Sequence, residues 1–113
     1  MRRLAFALPL ALAACDAPPQ PLTPEQSAAL KPADAKLAAL YEGSCKACHT
    51  VADSGAPLSG DRTQWDARWA KGEDVLLQHA QVGFGAMPAG GQCFTCTPAD
   101  TAALIRFMAG REQ

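Results

Sequence analysis

The sequence predicts an all-α domain, on three observations. Apolar residues recur at helical spacing in several separate stretches, helix-start signals precede them, and no run alternates apolar and polar residues as a half-buried strand would. No internal repeat is present. The folded domain is assigned to residues 34–113, behind two N-terminal segments of different composition.

Asp34 caps the first helix of that domain, in which Leu37, Leu40 and Tyr41 lie at i, i+3 and i+4 and form one apolar stripe. From Val51 to Gly60 the chain carries Asp53, Ser54, Gly55, Pro57, Ser59 and Gly60, which is loop chemistry. Thr63 or Asp61 caps a short helix through Trp65, Arg68 and Trp69 that stops at Gly72. Another runs from Glu73 to Val82, with Val75, Leu76, His79 and Val82 on adjoining faces, and ends at Gly83. Gly83 to Gly91 reads Gly-Phe-Gly-Ala-Met-Pro-Ala-Gly-Gly and is expected to be irregular; so many glycines imply backbone passing close to something bulky. Thr97-Pro98-Ala99-Asp100 then supplies an N-cap, a proline at the first helical position and an acid in the first turn. The last helix follows, with Leu104, Ile105, Phe107 and Met108 as its apolar residues.

Residues 1–14 have the form of a secretory signal peptide. Two arginines precede an apolar stretch and a run of small residues, too short to span a bilayer stably. Leu12-Ala13-Ala14-Cys15 resembles a bacterial lipobox, whose cysteine is acylated and becomes the first mature residue, so Cys15 is expected to carry lipid. Residues 15–33 contain Pro18, Pro19, Pro21, Pro24 and Pro32 with few large apolar side chains, and read as a lipid-anchored extended linker. At about 3.1 Å per residue it spans roughly 60 Å. Within it, Thr23-Pro24-Glu25-Gln26 looks like a capped start for a turn of helix over Glu25 to Leu30. The expected location is periplasmic and membrane-anchored; Asp16 after the lipid-bearing cysteine resembles a signal for retention at the inner membrane. Loss of Arg2 and Arg3 takes the net charge from −1 to −3, with 8 basic and 11 acidic side chains, and leaves no basic stripe for nucleic acid.

Cys45-Lys46-Ala47-Cys48-His49 carries the chemistry. C-x-x-C-H is the attachment sequence of a c-type haem: the two thiols add across the porphyrin vinyl groups as thioethers, and His49 becomes the proximal iron ligand. Two other readings compete. A redox dithiol normally opens a helix after a strand, and nothing before Cys45 reads as a strand. A four-cysteine zinc site would draw on Cys45, Cys48, Cys93 and Cys96. Haem c is preferred because the histidine follows directly and the export signal places the chain where haem is attached. It also supplies the bulk that an 80-residue domain lacks for a core of its own.

The odd count of five cysteines fits that assignment: Cys15 goes to lipid, Cys45 and Cys48 to haem, and Cys93 and Cys96 remain. In an oxidising compartment the remaining pair is expected to form a disulfide, although free thiols are the alternative. For the second axial position the chain offers Met87, Met108 and His79. Met87, in a glycine-rich loop before Pro88, suits rigid presentation of a thioether; Met108 sits on a helical face with Leu104, and His79 lies among aliphatic residues within a helix.

On these residues the chain resembles class I c-type cytochromes, and most closely the cytochrome c5 (class IE) group, over nearly all of 34–110. The resemblance rests on Cys45 to His49, Ala56-Pro57, Trp65 with Arg68 and Lys71-Gly72, Met87-Pro88, and the segment Gly90 to Cys96 with its cysteine pair just after the methionine loop. It implies the small class I cytochrome c fold, with helices packed around one covalently bound haem. It further implies thioethers at Cys45 and Cys48, axial His49 and Met87, a Cys93–Cys96 disulfide, and the Pro57 carbonyl holding the second ring nitrogen of His49. Trp65 and Arg68 would lie near the haem propionates, with packing the alternative role for Trp65, and Tyr41 and Phe107 match the crossing of the first and last helices. One residue departs: Leu37 stands where the family usually has glycine, so the helices are expected to cross slightly farther apart or in shifted register.

The function expected is that of a non-enzymatic, membrane-tethered electron carrier cycling Fe(III)/Fe(II) between redox protein donors and acceptors. They would dock transiently at a haem edge rimmed by Phe84 to Ala89 and Cys45 to Cys48. The alternatives are a haem-based sensor with a labile Met87 ligand, and the zinc or redox-thiol module.

Overall fold

The computed structural model describes residues 16–112, so the expected signal peptide and the lipid-bearing Cys15 lie outside the described residues. Among the described residues six α-helices form: α1 (Pro24–Ala28), α2 (Ala35–Glu42), α3 (Lys46–His49), α4 (Arg62–Trp69), α5 (Glu73–Val82) and α6 (Pro98–Met108), with a 3₁₀ turn at Ala89–Gln92. Among the described residues no strand forms; the only bridge is an isolated pairing of Phe84 with Met87.

Each helix starts where its cap allows. Asp34 Oδ1 accepts the Leu37 N–H at 2.9 Å, and Asp61 Oδ1 accepts that of Thr63 at 2.9 Å, which settles Asp61 over Thr63 as the cap of α4. At α6, Thr97 Oγ1 accepts the Asp100 N–H at 3.1 Å while the Asp100 carboxylate accepts the Thr97 N–H at 3.0 Å, a reciprocal capping box. Helix α5 lies between two glycines, Gly72 and Gly83, both with positive φ.

Helices α2 and α6 cross at Tyr41 and Phe107, whose rings meet edge to face with centroids 4.9 Å apart and planes at 78°. Tyr41 and Leu104 are almost wholly buried there, and Ile105, Met108, Leu76 and Ala80 extend the core beneath α5. Leu37 is half-buried against this core and, with Trp69, Ala103 and Arg106, lines an open groove of about 910 Å³ beside the crossing. Its bulk is accommodated at the edge of the contact.

The N-terminal segment differs from an extended spacer. Helix α1 forms with a Thr23–Gln26 capping box, and beyond it the chain is packed on the domain. Ser27 and Pro32 are fully buried, and the Leu22 N–H donates to Asp61 Oδ2 at 3.1 Å. A Cβ on Gly60 would meet Leu30 Cδ1 at 2.3 Å and Leu22 Cδ1 at 3.2 Å, so these two leucines cover that glycine closely. Packed structure therefore begins at Leu22, ahead of Asp34. The described extended part is Asp16–Pro21. The physical reason is that Ser27 is buried through hydrogen bonds, which leave no apolar periodicity in the sequence.

Asp100 also pairs with Lys36 Nζ at 3.0 Å. The Thr97 N–H, and then Lys36, hold its carboxyl below the usual carboxylate range. A depressed folded pKa contributes stability that is complete above about pH 4, the unfolded carboxylate range, and is lost as pH falls through the folded value. The urea midpoint of Asp100→Asn is expected to lie below wild type near neutrality and to converge with it in strong acid. A gap of constant size at every pH would show that the charge contributes nothing.

Candidate functional site

The site is built outward from His49. The short loop after α2 delivers Cys45 into the one-turn helix α3, with the His49 N–H on the Cys45 carbonyl at 3.0 Å, so both cysteines and the histidine share one turn of backbone. His49 is buried, and its Nδ1 lies 2.8 Å from the Pro57 carbonyl oxygen. A carbonyl only accepts, so Nδ1 carries the proton and Nε2 the lone pair. Burial pushes the imidazole pKa below its ordinary value; the Pro57 bond opposes that shift and the charge of Arg68 adds to it. The ring is thus neutral at pH 7, and among the described residues no protein group hydrogen-bonds Nε2.

Two adjoining cavities, of about 370 and 380 Å³, are both lined by His49, Pro57, Arg68, Phe84 and Met87. The inner one reaches Trp65, Leu76, Ala80 and Ile105, and the outer one opens to Cys45, Cys48 and Gly91. A neutral imidazole nitrogen without a protein partner, a thioether, two unpaired cysteines and an apolar chamber between helices suit a c-type haem. The residues present fit the group.

The loop of Met87 is held by a pair of short bonds, from Phe84 N–H to the Met87 carbonyl at 3.0 Å and from Met87 N–H to the Phe84 carbonyl at 2.9 Å. The 3₁₀ turn then brings Gly91 against the methionine: a Cβ there would stand 3.0 Å from Met87 Cε. Cys93 and Cys96 are joined as a disulfide directly after it. Both other candidates for the second axial position also line the inner cavity. Met108 is buried in the core on α6, and His79 is stacked on Phe84 with ring centroids 4.1 Å apart.

Trp65 and Arg68 reach the cavity differently. The indole N–H of Trp65 donates to the Leu58 carbonyl at 2.9 Å, which occupies its one donor, and its ring stacks beside His49 at 5.7 Å and 28°. The ring packs against the cavity with its donor already occupied. Arg68 is exposed at the mouth of both cavities and spends one N–H on the Gln64 carbonyl of its own helix. Its remaining donors are available to an anionic group.

The competing readings do not assemble. With Cys93 and Cys96 bonded to each other, no four-cysteine site exists, and among the described residues no group of three or more His, Cys, Asp or Glu could hold a metal ion. Burial pushes the Cys45 thiol pKa up, against a hydrogen bond shared with Ser44, whereas a redox dithiol needs a lowered one. Ser27 and Ser59 meet the hydroxyl of Tyr41 behind His49, and neither serine was indicated by the sequence. A serine buried by its hydrogen bonds carries no signal in spacing or composition.

Residues 32–108 match the family described as cytochrome C oxidase, cbb3-type, subunit III. The chain is 33% identical over 79 residues to cytochrome c-555 of Chlorobaculum tepidum, covering 66% of this chain and 73% of that protein. It is equally similar to cytochrome c-555 of Chlorobaculum thiosulfatiphilum, covering 66% and 92%. A chain in the crystal structure of an electron transfer complex of nitrite reductase with cytochrome c superimposes with a TM-score of 0.61 at 31% identity, covering 71% of this chain and 98% of that one.

Gly91 has φ +57°, so an alanine there meets both backbone strain and the Met87 methyl. Gly91→Ala is expected to lower the unfolding free energy by about 1 kcal/mol or more in urea titrations and to shift the Met87 methyl resonance. An unmoved methyl resonance would show that the two do not touch.

Proposed function

The chain belongs to the cytochrome c family, and from that premise we propose that it is a class I, c5-like monohaem carrier of single electrons, lipid-tethered at the periplasmic face of the inner membrane. Members of the family bind haem c covalently and carry electrons, and are not enzymes in general. Support comes above all from His49: a neutral, buried imidazole with Nδ1 fixed by Pro57 and Nε2 without a partner, in a cavity shared with Met87. The c5-like assignment is supported by the cysteine pair directly after the Met87 loop.

Cys45 and Cys48 would hold the haem as thioethers, His49 and Met87 would ligate its iron, and Arg68 would face the propionates. Bound there, the haem supplies reversible exchange of one electron between Fe(III) and Fe(II). The protein's own residues hold and screen it. Pro57 fixes the tautomer of His49 and increases its donor strength, which favours Fe(III), whereas a thioether ligand and the apolar wall of Leu76, Ala80 and Ile105 favour Fe(II).

Phe84 is 56% exposed and lines the outer cavity together with exposed Cys48, so a face of the site is open to a partner. The neighbour's complex with nitrite reductase supports a redox enzyme as the kind of protein that docks there. The tether is supported by the sequence Leu12 to Cys15, and an oxidising compartment by the disulfide.

A redox-difference absorption spectrum of the membrane fraction should show a single c-type haem; a colourless protein would end the carrier reading. Met87→Ala is expected to abolish sulfur-to-iron charge-transfer absorption and lower the reduction potential while the haem stays covalently attached, and an unchanged spectrum would assign the ligand elsewhere. Rapid carbon monoxide binding by the reduced wild type at neutral pH would favour the sensor reading. Cys15→Ser should move the protein to the soluble fraction, and retention in membranes would exclude lipidation as the anchor.

A further inference from the structure

We propose that Ser27 is a positioning residue of the haem site, acting from the N-terminal strap Leu22–Pro32 on the bond between His49 and Pro57; this rests on His49 being the iron ligand. Ser27 lies outside residues 32–108, where the family match falls, yet it is fully buried behind the ligand loop. Its Oγ is 2.8 Å from the Ser59 carbonyl oxygen and 3.2 Å from that of His49. Both are acceptors, so the single hydroxyl proton is shared between them, with the shorter leg to Ser59.

The two carbonyls belong to the two chain segments that also carry the ligand bond. The Ser59 N–H donates to the His49 carbonyl at 2.7 Å, and Pro57, two residues before Ser59, accepts from His49 Nδ1. Ser27 therefore closes a third link across the same pair of segments. It is also the only partner of the Ser59 carbonyl among the described residues, whereas the His49 carbonyl keeps the Ser59 N–H. Without the hydroxyl, the Ser59 peptide is left with a buried, unpaired oxygen and turns to find water. The Leu58 peptide between them is tied to Gln64 and Trp65 of α4, so a turned Ser59 pulls against those bonds and tilts the Pro57 carbonyl away from Nδ1. A weaker Nδ1–H bond makes the imidazole a poorer donor and favours the reduced iron.

The phenol of Tyr41 provides an internal comparison. It donates to Ser59 Oγ at 2.8 Å, so it holds the side chain of the same residue and neither carbonyl. Tyr41→Phe removes a buried hydroxyl bond of the same strength class at the same place, and the two links to the His49 and Ser59 oxygens remain.

The test uses the full-length holoprotein. Redox titration of Ser27→Ala is expected to show a two- to fivefold change in ferrous over ferric preference, about 20 to 40 mV upward at 59 mV per tenfold for one electron. The sulfur-to-iron band should be retained, and the Ser59 amide should exchange with solvent at least tenfold faster. Tyr41→Phe should move the potential by less than half as much. An unshifted potential in Ser27→Ala, or an equal shift in Tyr41→Phe, would overturn the assignment. Should Ser27→Ala fail to accumulate, Leu22→Ala with Leu30→Ala releases the strap from Gly60 with the hydroxyl retained, and carries the same expected upward shift and the same overturning result. A wild type without haem sinks the carrier reading as well; a haem protein with an unmoved potential sinks this assignment alone.

Discussion

The hydrogen bond from His49 Nδ1 to the Pro57 carbonyl is the constraint on which the rest of the site depends, because it decides which ring nitrogen is left for a metal. That bond holds only if Pro57 is fixed, and the residues after it show how. Leu58 accepts from the Trp65 indole and donates its N–H to Gln64 Oε1, which ties it to α4. Ser59 is tied to His49, Ser27 and Tyr41, and the Gly60 N–H donates to the Met108 carbonyl at the end of α6. Asp61 caps α4 and receives the Leu22 N–H from the strap. Five consecutive residues are thus tied between them to α1, α2, α3, α4 and α6, and the bond to His49 is the first of these contacts.

Such a segment has no helix or sheet of its own, so its backbone groups depend on these outside partners. An intramolecular hydrogen bond contributes about 0.5 to 1.5 kcal/mol net, but loss of one partner in a buried pair costs about 1 to 3 kcal/mol. Ser59 is fully buried and Leu58 nearly so, which places them on the expensive side of that asymmetry. In a domain of this size the apolar core of α2, α5 and α6 is small, and the polar cluster at residues 57–61 fixes one geometry where apolar contact alone would accept several.

What was legible in the sequence follows from the range of each signal. Asp34 and Thr97 as caps, the glycine bounds of α5 and the apolar faces around Tyr41 and Phe107 are local, and each appears as read. The C-x-x-C-H segment was equally local. The strap was legible only in part: Thr23 to Gln26 announces the capped turn of α1, but five prolines suggest an otherwise extended chain, and nothing in the neighbourhood of Ser27 announces carbonyl partners 22 and 32 residues away. Trp65 was located at the site from sequence, but its donor goes to Leu58, an interaction with a backbone atom that residue identity does not encode.

The two walls of the cavity are built by different means, and this bears on how they respond to change. The His49 wall is a mesh of hydrogen bonds to buried backbone, so displacement of any one member leaves unpaired polar atoms in several others. The Met87 wall is a short loop held by the Phe84 pairing, a disulfide and the close fit of Gly91, with Met87 itself only half-buried. Opening that loop breaks two backbone bonds whose groups lie next to solvent and find water readily. The methionine side therefore yields first under heat or denaturant, while the histidine side keeps its form until the packing of α2 and α6 is lost. For the carrier proposed above, whose ligands would need to stay in place during electron exchange, rigidity is thus concentrated at His49, which the chain joins to Cys45 and Cys48 within one turn.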